Sequence, residues 1–145
     1  MPAALFYAGP GQINAEVPRS LTPKVGVLVE VVREDKVIAA THVEARFAQP
    51  ALFTLGQGIG QALVVNEDGS LNSEDRPAAR GSIVTLFGTG DGETDPLFAG
   101  RAPGFVGLFQ VNVQLPGVFT PPGVRTLTLS VGRVASQPGV TIAVK

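Results

Sequence analysis

The strongest constraint on this chain is strict alternation of apolar and polar side chains in short runs closed by proline. Arg125-Thr126-Leu127-Thr128-Leu129-Ser130-Val131 sends Leu127, Leu129 and Val131 one way and the hydroxyl side chains the other. Gln12-Ile13-Asn14-Ala15-Glu16-Val17 alternates and stops at Pro18, and Gln110-Val111-Asn112-Val113-Gln114-Leu115 alternates and stops at Pro116. A period of two belongs to a β-strand with one face in a core and one in water. Residues 25–32 are more uniformly apolar, which predicts a strand buried on both faces or under a neighbour. Further strands are expected at 37–45, 52–55, 61–66, 82–88 and 141–145. Turns are expected at Glu34-Asp35, Asp68-Gly69, Gly90-Asp91-Gly92 and Pro121-Pro122-Gly123, where Gly, Asp and Pro supply the backbone angles. Residues 70–80 have room for at most one turn of helix. The 18 glycines and 12 prolines fit many short strands joined by turns, so the expected fold is all-β.

Two of these segments match each other. Phe6-Tyr7-Ala8-Gly9 and the run from Gln12 to Pro18 resemble Leu97-Phe98-Ala99-Gly100 and the run from Gln110 to Pro116. From Gln12 to Gln110 the offset is 98 residues. The same offset places Val29 on Leu127 and Val31 on Leu129, so the inward faces stay in register. About 100 residues is the length of one immunoglobulin-like sandwich. The expectation is about one and a half Ig-like repeats with strands missing: 1–47 a partial repeat, 48–145 an Ig-like β-sandwich domain, closed separately or merged into one sandwich.

Composition narrows the function classes. The net charge is −1 and only 16% of residues are charged, which gives no reason to expect a nucleic-acid partner. No apolar run reaches the roughly 20 residues of a membrane-spanning helix, so membrane insertion is not expected either. The absence of cysteine excludes disulfides and thiolate metal sites. The opening Met1-Pro2-Ala3-Ala4-Leu5-Phe6 lacks the basic and long apolar regions of a signal peptide, which leaves a cytoplasmic protein or one parted from its leader.

Few residues point to chemistry. Asn66, Asp68, Ser70 and Asn72 space oxygen atoms two residues apart around Gly69, a pattern that calcium can use. Pro77 stands where an EF-hand places its twelfth-position glutamate, and the alternative is a loop satisfying its own backbone. No cofactor is therefore expected, calcium being the one candidate. Asp91, Glu93 and Asp95 form a second acidic cluster. Gly56-Gln57-Gly58-Ile59-Gly60 lacks the spacing of a phosphate loop and reads as a turn. His42, the single histidine, has no nucleophile in a motif around it, so no catalytic residue is assigned.

The segments Phe6-Tyr7-Ala8-Gly9-Pro10-Gly11-Gln12-Ile13-Asn14, Asn66-Glu67-Asp68-Gly69-Ser70-Leu71-Asn72-Ser73 and Pro77-Ala78-Ala79-Arg80-Gly81-Ser82-Ile83-Val84 occur in that order. Ala99-Gly100-Arg101-Ala102-Pro103-Gly104-Phe105-Val106-Gly107-Leu108-Phe109 follows them. In these pieces the chain resembles the Solibacter-type, Ig-like C-terminal domains of secreted acidobacterial proteins. The resemblance implies an extracellular or cell-surface β-sandwich without enzyme activity. That family carries about two further strands between its Gly-Thr-Gly loop and the Ala-Gly-Arg segment, where this chain has only 91–96. A sandwich short of strands exposes backbone groups and an apolar face. The expected function is thus a non-catalytic structural module for protein–protein association, including self-assembly into a filament by β-strand addition with copies of itself as partners. The terminal strands supply the expected interface, through Leu5, Phe6 and Tyr7 at one end and Thr141, Ile142 and Val144 at the other. The Gly-rich stretch adds Phe105, Val106 and Phe109, read either as an interface loop or as a core plug. The alternative function is a ligand- or carbohydrate-binding accessory module, against which stands a chain with no Trp and one Tyr.

Overall fold

A computed structural model describes residues 1–18, 20–21, 23–90, 99–101, 108–118 and 120–145. All its regular elements are β-strands, and no described residue is helical. The chain divides into two compact units, Met1–Phe47 and Ala48–Lys145.

The first unit consists of two antiparallel hairpins. Strands β1 (Leu5–Gly9) and β2 (Gln12–Ala15) are joined through Pro10-Gly11, and β3 (Lys24–Arg33) and β4 (Lys36–Ala45) through Glu34-Asp35. Glu34 and Asp35 both take left-handed φ, 51° and 61°, a two-residue geometry that matches the twist of a hairpin. A register shift between Lys24 and Val27 takes in Gly26, whose φ of 74° suits a bulge. Each hairpin forms a sheet of two strands only.

The second unit has a front and a back half. The front half, 48–90, holds β5 (Ala51–Leu52), β6 (Gly60–Gln61), β7 (Val64–Val65) and β8 (Ile83–Thr89). The back half holds β9 (Ala99–Arg101), β10 (Phe109–Gln114), β11 (Gly123–Thr126), β12 (Ser130–Val131), β13 (Val134–Ala135) and β14 (Val140–Val144). One sheet runs β5-β8-β10-β9 with β7 also on β8; a second runs β11-β14-β6. Side chains of both sheets meet in one core, an arrangement consistent with a β-sandwich. Six of that core's ten buried residues, Leu52, Ala62, Val64, Ala78, Val84 and Leu86, come from the front half. Leu115, Val140, Ile142 and Val144 come from the back half. Neither half alone closes this core.

Two carboxamides tie the halves together. Asn72, fully buried in the front half, donates to Ala143 O and accepts from Ala143 N, both at 2.9 Å. Gln137, in the back half, accepts from Leu52 N at 3.0 Å and donates to Leu52 O at 2.6 Å. Each side chain pairs with a strand residue as another strand would.

Gly88 of β8 stands at a close approach between the halves. A Cβ there would lie 2.5 Å from Phe109 Cζ and 2.7 Å from Ala51 O. Gly88→Ala is therefore expected to destabilise the second unit by about 1–3 kcal/mol through overpacking, read as a lower thermal midpoint by circular dichroism.

The ladders of the first unit recur in the back half of the second. Gly9 pairs with Gln12 and Ala8 with Ile13, just as Gly100 pairs with Gln110 and Ala99 with Val111. Arg33 with Lys36 and Val32 with Val37 recur 98 residues on as Val131 with Val134 and Ser130 with Ala135. Val27 with Val43 and Leu28 with His42 recur as Arg125 with Ile142 and Thr126 with Thr141, once a single residue is inserted within 136–139. Unit 1 thus has the pairing scheme of a back half.

Its burial differs. No described side chain of 1–47 is buried. Val43 is 43% exposed where Ile142 is 3%, and Val17 is 69% exposed where Leu115 is 9%. The expectation that 25–32 is buried on both faces or under a neighbour is overturned, since Val25, Leu28, Val29 and Val32 are all exposed. The physical reason is that a back half supplies only part of a core, and the strands that complete it in unit 2 have no counterpart among residues 1–47.

Candidate interaction surface

Of the terminal residues picked as an interface, only the first group is accessible. Leu5, Phe6 and Tyr7 stand on β1, exposed at 62%, 48% and 52%. Ile13 on β2 and Val29 and Val43 on the second hairpin extend the same exposed apolar character through the unit. A lone exposed apolar residue needs no explanation, but an entire unit of them does.

The C-terminal group is a correction. Strand β14 is interior: β11 lies antiparallel along one edge, and β6 lies parallel along the other. Ala78 continues that second edge, receiving a bond from Lys145 N and giving one to Ala143 O. Ile142 and Val144 are in the core, and Thr141 is half-buried. A strand with both edges paired in its own unit has none to give a neighbour. Of the two readings of the Gly-rich stretch, Phe109 fits the core plug and not the interface: it is 4% exposed and packs over Gly88. Phe105 and Val106 lie outside the described residues, as does the acidic cluster of Asp91, Glu93 and Asp95.

The calcium candidates are spent on the protein itself. Asn72 Oδ1 accepts from Ala143 N and from Gln61 Nε2. Asn66 Oδ1 accepts from Asn72 Nδ2, while Asn66 Nδ2 donates to Ser70 Oγ and Arg76 O. Asp68 accepts from the amide and hydroxyl of Ser70. The four residues form one hydrogen-bond network that anchors the loop and β14, as a loop satisfying its own backbone does.

Hydrogen bonds from Ser70, first its hydroxyl and then its amide, hold the Asp68 carboxyl below the usual carboxylate range. Asp68 lines an open depression of about 260 Å³ with Asn66, Ser82 and Lys145 among its walls. On the first unit, Glu44 and Arg46 pair at 2.7 Å on the surface. That contact, by hydrogen bond first and charge second, lowers the Glu44 pKa and raises that of Arg46. His42 is exposed on β4 opposite Leu28, and 56–60 forms a turn in which Gly58 N donates to Thr54 Oγ1.

The sequence reading missed the two carboxamide clamps and the edge of β2 that has no neighbour among the described residues. Comparison with protein-family models, curated proteins and solved structures finds no match to this chain.

Proposed function

We propose that this chain is a non-catalytic structural module of the Ig-like type, related to the Solibacter-type domains it resembles. In this reading it acts outside the cell or at its surface, by associating with other protein through residues 1–47. One observation carries the reading: unit 1 has the strand pairing of a back half and none of its burial. An apolar half-sandwich is driven to be covered, since each large apolar side chain removed from water contributes about 1.5–3 kcal/mol. Strand addition is the favoured mode, because β2 and β4 each have a single neighbour among the described residues. Copies of the chain are the first partner to test. Like surfaces associate, and a head-to-tail contact that does not close yields a filament.

Sedimentation velocity tests this over a wide concentration range. The wild-type chain is expected to associate with rising concentration. Ile13→Lys combined with Val43→Lys is expected to stay monomeric with an unchanged melting of unit 2. A wild-type chain that stays monomeric throughout and shows no polymer by electron microscopy overturns self-assembly as the mode of association.

A further inference from the structure

We propose that Met1–Phe47 is a receptor for a front half of the type found at 48–90, carried by a polypeptide segment other than a further copy of this whole chain. The proposal rests on the reading above that unit 1 associates with protein, and it names the partner. Its first ground is the repeat of register. In unit 2, β8 lies antiparallel along β10 with Phe87 opposite Gln110, Leu86 opposite Val111, Thr85 opposite Asn112 and Val84 opposite Val113. The counterpart of β10 is β2, which has β1 on one edge and no described strand on the other. A β8-like strand in the same register sets Leu86 opposite Ile13 and Thr85 opposite Asn14.

The second ground is a polar pair prepared for that strand. Asn112 Oδ1 accepts from Gln110 Nε2 at 3.1 Å and from Thr85 Oγ1 at 3.0 Å. In unit 1, Gln12 Nε2 donates to Asn14 Oδ1 at 2.6 Å, reproducing the first of these bonds. A threonine on an added strand supplies the second. The same front half would bring a carboxamide like that of Asn72 to the backbone of Glu44, the residue at the place of Ala143.

The third ground is stoichiometry. Each copy holds one front half and two back halves, and its front half is already paired with β10 and β14. Exchange between copies therefore leaves one back half per chain uncovered in every arrangement. Only an additional front half removes the deficit.

The test extends the full chain by a second copy of residues 48–91 placed ahead of Met1. Met1 to Leu5 then stand for 92–96, so the connection to Phe6 has the length of that to Leu97. The extended chain is expected to be monomeric, with the amides of β2 and β4 slowed in exchange at least about a hundredfold relative to the unextended chain. A cysteine pair reads the register independently of stability. Asn14→Cys with Thr85→Cys in the added copy is expected to form a disulfide, since directly opposed residues have the required separation. Asn14→Cys with Val84→Cys in the added copy is expected not to. Unchanged exchange and no register-specific disulfide, in an extended chain whose β14 amides stay protected, overturn this inference alone if the unextended chain still associates. If, in addition, the unextended chain does not associate, the functional reading falls with it.

Discussion

Replacing Asn72 by alanine is expected to destabilise unit 2 by about 3–4 kcal/mol, against the 1–3 kcal/mol of leaving one buried donor or acceptor unmade. The side chain is fully buried and makes four hydrogen bonds: two to the backbone of Ala143, one from Gln61 Nε2 and one to Asn66 Oδ1. Ala143 O and Gln61 Nε2 keep a second partner, at Ala78 N and Ala62 O. Ala143 N and Asn66 Oδ1 do not retain their bonds. Asn72→Asp is expected to be worse. A carboxylate still accepts from Ala143 N and Gln61, but it has no proton to give to Asn66 Oδ1 or Ala143 O. Urea unfolding checks both, with the midpoint falling at an unchanged slope.

A matched pair of truncations gives the second large contrast. Ile142→Ala is expected to cost about 3 kcal/mol, because the side chain is 3% exposed in a core that cannot fully collapse around the gap. Val43→Ala, at the same place in the repeat, is expected to cost less than about 0.5 kcal/mol, as for an exposed site. Both are read in the monomeric protein by chemical denaturation. The side chains have similar chemistry and equivalent strand pairing, so the difference measures what the front half contributes by covering one of them.

Most β-strands were legible in the sequence because alternation is a local signal, but the run 125–131, expected as one strand, is divided between β11 (Gly123–Thr126) and β12 (Ser130–Val131), which lie in different sheets. The turn at Glu34-Asp35 was legible too, because Asp tolerates left-handed φ. The 98-residue offset reached further, since matching residues keep matching partners. What local pattern could not supply was the neighbour of each edge. Residues 141–145 read as a terminal strand awaiting a partner, yet Gly60 and Ala78 fill that edge from far along the chain. The loop holding Asn66 and Asn72 allowed two readings, oxygen ligands for calcium or a loop satisfying its own backbone, and spacing alone did not choose between them. A carboxamide also donates, and amides in place of carboxylates at both positions were the available sign of a backbone clamp. The burial of Phe109 was one of two readings the sequence offered, as a core plug. The vacant space over Gly88 that receives it was not legible.

Amide hydrogen exchange by NMR in dilute, monomeric protein tests the central claim most directly. If 1–47 is an uncovered back half, the amides of β3 and β4 exchange orders of magnitude faster than those of β14, which open only with the whole of unit 2. Equal protection of β4 and β14 in that monomer would contradict the account.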